Sequence, residues 1–255
     1  MKLFHISDLH FGNHKHELIE PFLEDVKSIK PEVIIVSGDL TQRGKQSQYK
    51  MLRNFLQQIN SEILLVPGNH DITLYKIWER LLYPFKNYKR YLNENLSSTF
   101  QNDRVRIMGV NSALPHRIIR GSISTSVMRE IEKYFSQEFS GVNILFFHHN
   151  FDYREGWHKP LCNFVEFLEF IKDSPINLIC TGHLHYSHIS KIRKNSGQYC
   201  INIHAGTLLC PRSKENINSY YAIELDNKTC TTDWRIFDGT VFKTENIEKI
   251  VFKDS

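Results

Sequence analysis

Two carboxylates, one carboxamide and four imidazoles stand at intervals along the 255-residue chain: Asp8 and His10, Asp39, Asn69, His148, and His183 and His185. Oxygen and nitrogen donors of this kind, with no thiolate in the pattern, suit borderline divalent ions such as manganese, iron or zinc. They argue against calcium or an iron–sulfur cluster. The donors are too many for one tetrahedral ion, but a shared carboxylate divides them into two half-shells with positions left for water and substrate. Two divalent ions less two carboxylates leave about two positive charges by formal counting, so the guest should be an anion. Phosphate is the natural one.

The spacing has mechanical reasons. Asp8 and His10, like His183 and His185, are two residues apart, and in an extended segment such residues project from one face, so one loop can deliver two donors. Gly38, Gly68 and Gly182 stand just before donors, where a residue without Cβ lets the backbone turn sharply and approach an ion. His148 and His149 are adjacent, and on a strand adjacent side chains face opposite ways, so only one should reach an ion.

These clusters follow short apolar runs. Lys2 to Ile6, Val33 to Val36, Ile63 to Val66, Val105 to Val110, Asn143 to Phe147 and Asn177 to Thr181 read as buried strands. Between them, Glu17 to Ile29 and Gln46 to Ile59 place apolar residues at helical spacing. The alternation predicts a layered α/β domain whose donor loops meet beyond the carboxyl ends of the strands. From Ser187 onward, Ile189 to Arg193, Gln198 to Ile203, Tyr220 to Leu225 and Thr231 to Phe237 read as hairpin strands, with turn residues at 195–197 and 226–228. They predict a second, mostly antiparallel sheet packed on the first, so residues 1–255 form one domain with 187–255 as its C-terminal part.

Composition excludes several classes. Apolar residues make up 41% and charged residues 24%, as in an ordinary folded soluble chain. No apolar run approaches the roughly 18 residues that cross a bilayer, and the N-terminus offers no signal-peptide apolar segment, so the expected location is the cytoplasm. Cys162, Cys180, Cys200, Cys210 and Cys230 include no Cys-x-x-Cys pair, and most of them read as small core hydrophobes. The net charge of +4 is dispersed and offers no track for a nucleic-acid strand.

Asp-x-His, Gly-Asp, Gly-Asn-His-Asp, His and Gly-His-x-His, in this order from Asp8 to His185, resemble the calcineurin-like metallophosphoesterase superfamily. The stretches Ser37 to Gly44 and Gly182 to Ser187 most resemble its class III cyclic-nucleotide phosphodiesterases. The resemblance implies a four-layer α/β/β/α sandwich of two packed mixed sheets. It implies a first metal held by Asp8, His10, Asp39 and His185, and a second by Asp39, Asn69, His148 and His183. It favours His148 over His149, although Asn150 stands where the family commonly has proline, and His149 then either lines the substrate pocket or packs against the sheet. The implied reaction is in-line attack of a metal-bound hydroxide on a cyclic nucleotide or small diester, with His70 protonating the leaving oxygen and Asp71 polarising His70. A nucleotide-sugar lipid pyrophosphohydrolase or a phosphomonoesterase is the alternative; the former often carries Gly-Asn-Arg where this chain has Gly68-Asn69-His70. A nuclease is a third expectation, weakened by the dispersed charge. A non-catalytic scaffold typically loses donors that this chain keeps. Related phosphodiesterases often pair, so the resemblance allows a homodimer.

The remaining histidines, His5, His14, His16, His116, His158, His188 and His204, read as structural or surface residues, His204 as a turn after a strand. Substrate choice should lie in the insertions 72–96 and 151–163. Their aromatics, Tyr75, Trp78, Tyr83, Phe85, Phe151, Tyr153 and Trp157, could stack on a nucleobase or pack as core, and the first insertion reads as core. Arg154 and His158 are of types that could contact a phosphate or base, and the sequence leaves that open.

Overall fold

The computed structural model describes residues 1–73, 77–152, 159–226 and 228–252. Period-two alternation sets its layers. In β1 (Lys2–Ile6) and β2 (Val33–Val36), Leu3, Val33 and Ile35 face one way while Phe4, Ile6, Ile34 and Val36 face the other, and all are buried. A strand apolar on both faces needs a cover on both. One cover is the helix pair α1 (Ile19–Ile29) and α2 (Gln46–Leu56), through Phe22, Val26, Tyr49, Leu52 and Phe55. The other is a second sheet, which contributes Val105, Ile107, Ile144, Leu178 and Ile201 to a shared apolar layer.

The chain continues through β3 (Glu62–Leu65), α3 (Ile77–Leu82), α4 (Lys86–Tyr91), β4 (Ser98–Gln101), β5 (Val105–Gly109), α5 (Thr125–Phe135), β6 (Val142–Phe146), α6 (Phe164–Asp173) and β7 (Leu178–Thr181). It ends with β8 (His188–Arg193), β9 (Tyr199–His204), β10 (Ser219–Leu225), β11 (Thr229–Phe237) and β12 (Phe242–Val251). The first sheet has the order β12-β11-β10-β1-β2-β3 and the second β4-β5-β6-β7-β9-β8. Each mixes parallel and antiparallel pairs. Helices α5 and α6 cover the outer face of the second sheet over Met108, Leu145 and Ile179, which completes the α/β/β/α sandwich.

The C-terminal strands do not form the separate antiparallel sheet that their hairpins suggest. Strand β9 pairs parallel to β7, with β8 on its far edge, whereas β10 pairs antiparallel to β1 and leads into β11 and β12. The reason is edge satisfaction: β1 and β7 each leave a row of backbone groups that a neighbouring strand must pair. In α3 the inward side chain is Arg80, which donates to the carbonyls of Thr73 and Arg117, so Trp78 and Tyr83 point outward instead of joining the core. Phe85 and Phe151 are core. Tyr75, Tyr153, Arg154, Trp157 and His158 lie outside the described residues. Among the described residues no helix is long and apolar enough to cross a membrane.

Candidate metal centre

The parallel pairing of β1, β2 and β3 in one sheet, and of β6 and β7 in the other, puts their carboxyl ends at a common rim. The chain leaves that rim in tight turns, not in the extended segments that two-residue spacing suggests. Asp8, His10, Asp39, His183 and His185 have φ of 54°, 47°, 50°, 78° and 53°. Left-handed backbone is uncommon outside glycine, with Asp and His among the more tolerant residues, and clusters of it mark functional loops. Neighbouring loops leave no room for extra atoms. Gly38 has φ +91°, and a Cβ there would stand 2.7 Å from Nδ1 of His148; one on Gly182 would stand 2.7 Å from Oδ2 of Asp8.

Asp8, His10, Asp39 and His185 form one group. His185 Nε2 is 3.1 Å from Asp8 Oδ1, and His10 Nε2 is 3.6 Å from Asp8 Oδ1 and 3.5 Å from Asp39 Oδ2. On the other side of Asp39, His148 Nε2 is 3.3 Å from Asp39 Oδ1 and 3.2 Å from Asn69 Oδ1. His183 packs edge-on to His148, ring centroids 5.1 Å apart, and its N–H donates to Asp8 Oδ2 at 2.9 Å. Asp39 thus faces both halves.

These side chains fit a pair of cations. The Nδ1–H of His148 donates to the Ser37 carbonyl and that of His185 to the Arg212 carbonyl, each at 2.9 Å, which turns both Nε2 atoms inward as metal-ligand imidazoles are usually held. The Nε2 atoms of His10 and His185 approach to 3.1 Å. Asp8 Oδ1 is buried without an aligned hydrogen bond. Donors sharing an ion at about 2.0–2.2 Å have spacings of this size. Charge agrees with geometry. Burial would raise the carboxyls of Asp8 and Asp39, yet the facing imidazoles, His185 foremost for Asp8 and His148 for Asp39, hold both well below the usual range. Burial likewise works to lower His148 and His185, but Asp39 beside the first and Asp8 beside the second raise them to about 9 and about 10. Without ions, protons gather where positive charge is wanted.

His70 lines a cleft of about 350 Å³ together with Asp39, Asn69, His183 and His185. Its Nδ1 donates to the Gln42 carbonyl at 3.0 Å, and its backbone N–H to Asp39 Oδ1 at 2.9 Å. Asp71 does not hold that ring. Its Oδ1 accepts from the N–H and hydroxyl of Thr41, and its Oδ2 from the N–H groups of Leu40 and Gly68. With both oxygens occupied, Asp71 clasps the loops after β2 and β3 together; burial, with Asp39 close by, raises it to about 6.

His149 is buried behind His183, ring centroids 4.7 Å apart, with Nδ1 bonded to Ser112 Oγ at 2.8 Å, and burial pushes it down to about 3. It packs and does not line the cleft. His204 ends β9 with Nδ1 on Thr181 Oγ1 at 2.7 Å. The sequence reading missed the loop 205–215. Arg212 and Lys214 line the same cleft, and the buried Cys210 lies against His10 and His185. The only sequence signal was position, just beyond a strand that follows the last donor pair.

The family model described as calcineurin-like phosphoesterase matches residues 1–187. Among curated proteins, the chain is similar to a probable cyclic nucleotide phosphodiesterase of Vesicomyosocius okutanii, at 24% identity over 58% of this chain and 60% of that one. It is similar to the glycerophosphodiester phosphodiesterase GpdQ of Enterobacter lignolyticus at 28% identity, over 58% of this chain and 56% of the relative. With UDP-2,3-diacylglucosamine pyrophosphatase LpxG of Chlamydia muridarum it shares 24% identity over 74% and 65% of the two lengths. The match thus spans under two thirds of each of these relatives. A dimetal phosphatase from Danio rerio has the same fold, with TM-score 0.72 at 9% identity over 99% of both chains. Purple acid phosphatase PPD1 from yellow lupin gives TM-score 0.78 at 10% identity, over 99% of this chain and 54% of that one.

Proposed function

Because the chain belongs to the calcineurin-like phosphoesterase family, we propose that it is a two-metal hydrolase of phosphodiesters, with a cyclic nucleotide or small diester as substrate. The observation that carries the reading is Asp39, whose two oxygens face separate imidazoles, His10 at 3.5 Å and His148 at 3.3 Å, as a carboxylate shared by two ions must. Asp8, His10, Asp39 and His185 would hold one ion, and Asp39, Asn69, His148 and His183 the other. Manganese, iron and zinc all suit this donor set. When bound, the ions supply Lewis-acid charge for the phosphoryl oxygens and an acidified water as nucleophile.

The protein's own groups do the rest. His70 keeps Nδ1–H on the Gln42 carbonyl, so its Nε2 is the atom left for substrate; in the imidazolium form the Nε2 proton passes to the leaving oxygen. Asp71 positions the loops that carry Asp39 and Asn69. Arg212 and Lys214 add positive charge along the cleft for the phosphate. The pairing of β1 with β10 supports treating residues 1–255 as one working unit.

The test is a metal-reconstituted assay on bis-p-nitrophenyl phosphate, p-nitrophenyl phosphate and cyclic AMP side by side. Diester turnover is expected, and turnover of the monoester alone would overturn the assignment. One observation favours a second reading, cleavage of an acylated nucleoside diphosphate. Trp78 and Leu82 are 77% and 66% exposed, and Arg80 binds their helix to the loop carrying Ile119, which lines the cleft. Such apolar surface beside a phosphate site suits acyl chains, and adding an acylated diphosphate diester to the panel separates the two readings.

A further inference from the structure

Helix α3 is amphipathic the wrong way round. A helix on a protein surface ordinarily turns its apolar face inward and its charges to water. Here the inward residue is Arg80, whose guanidinium donates to the carbonyls of Thr73 and Arg117, while Ile77, Trp78, Leu81 and Leu82 face away from the protein, each half exposed or more. The bond to Arg117 ties the helix to a loop whose own apolar residues, Ile118 and Ile119, are also exposed. Other exposed apolar residues, such as Met51 on α2 and Val165 on α6, stand singly on their helices. Scattered residues of that kind are ordinary, whereas a contiguous patch marks a surface that is covered in use.

Charge around the patch has one sign. On α4, directly after it, Lys86, Lys89 and Arg90 are exposed, as is Arg117 in the loop. Glu79 is the sole carboxylate in 77–92 and 114–120. Apolar side chains bordered by basic ones match the interface of an anionic bilayer, where tryptophan and leucine enter the headgroup boundary while lysine and arginine meet the phosphates. A second copy matches less well, because a two-fold contact through this patch would set its basic borders against each other.

We propose that α3, α4 and the loop 117–119 form a docking surface for an anionic lipid bilayer. Ile119 also lines the cleft of the metal centre, so docking sets the mouth of that cleft beside the lipid headgroups. The patch lies on the bilayer and does not span it, since α3 has six residues against the roughly twenty that a crossing needs. The proposal stands independently of the reaction catalysed.

The experiment mixes the full chain, in EDTA, with sedimentable vesicles of equimolar phosphatidylglycerol and phosphatidylcholine, or of phosphatidylcholine alone. Binding to the mixed vesicles should be at least about tenfold tighter and should weaken with salt, since each Lys or Arg near an anionic leaflet contributes about fivefold. The double variant Trp78→Ser with Leu82→Ser should bind mixed vesicles about tenfold or more weaker, as should Lys86→Glu with Lys89→Glu, while Val165→Ser should bind as the unaltered protein does. All these side chains are exposed, and a thermal melt checks that each variant folds. In the unaltered protein, tryptophan emission should shift to the blue on mixed vesicles, and Trp78→Phe should lose that shift. No binding to mixed vesicles, or undiminished binding by the Trp78→Ser, Leu82→Ser variant, would overturn the proposal. So would a dimer in solution that the same variant dissociates, which would give the patch to a second copy. Because docking is read in chelator, its failure leaves the hydrolase reading standing, and a protein that docks but turns over no phosphoester when reconstituted with metal overturns that reading alone.

Discussion

At Asp39 the carboxylate that faces both imidazole groups also accepts the His70 N–H at 2.9 Å, so binding and chemistry meet at one residue yet remain separable. Asp39→Asn should bind neither ion firmly, with metal content near zero by elemental analysis and activity down by more than about hundredfold. His70→Gln should retain both ions and lose about 10² to 10⁴ in rate, most with poor leaving groups. Equal metal loss in the two variants would contradict the assignment. That Asp8, His10, Asp39 and His185 would come together was legible because residue type, spacing and order all pointed one way. Asp71 was misread because adjacency to His70 says nothing about where a carboxylate points, and here backbone N–H groups claimed it. The nearness of Cys210 to His10 and His185 was not legible, because one thiol without a partner cysteine carries no local signature.

At the scale of elements, close approach of loops leaves the site little tolerance. In Gly182→Ala the new methyl would stand 2.7 Å from Asp8 Oδ2 and closer to Ser7, so the β7 loop must shift. An overpacking cost of about 1–3 kcal/mol, seen in denaturant unfolding, should accompany weakened metal binding. Asp71→Asn keeps the shape but turns an amide toward donor N–H groups of Leu40 and Gly68, and should cost about 1–3 kcal/mol while slowing turnover. Were Asp71 instead a polariser of His70, the variant would change the pH–rate profile and leave stability untouched. Strands β1, β2 and β7 were readable as dense apolar runs. Strand β12 was not, because most of its side chains are exposed and no alternation survives. Helix α5 had a signal that was passed over: Ser124 as cap, with Met128, Ile131 and Phe135 buried along one face.

For the molecule as a whole, the raised imidazoles link proton binding to stability. Folded His148 and His185 keep protons up to about 9 and about 10, against an ordinary 6.5 in the unfolded chain. Through that window the folded state binds more protons, so the stability they confer is complete below pH 6.5 and is lost as pH rises. Thermal melts of chelated protein should therefore drop from pH 6.5 toward 10. Manganese should raise the midpoint and flatten the slope, because the ions replace the protons; a flat profile in chelator would contradict the charge assignment. How strands from opposite ends of the chain would share sheets was not legible, since hairpin spacing specifies neighbours but not which open edge they join. That arrangement bears on biogenesis. Thr207 Oγ1 donates to the Asp8 carbonyl at 2.7 Å and Leu208 N–H to Ser7, so the turn bearing the earliest donors is buttressed by a segment made some two hundred residues later. Until that segment has been made the buttress is missing, so the turn carrying Asp8 and His10 cannot take its final form before residues 207–208 have joined it.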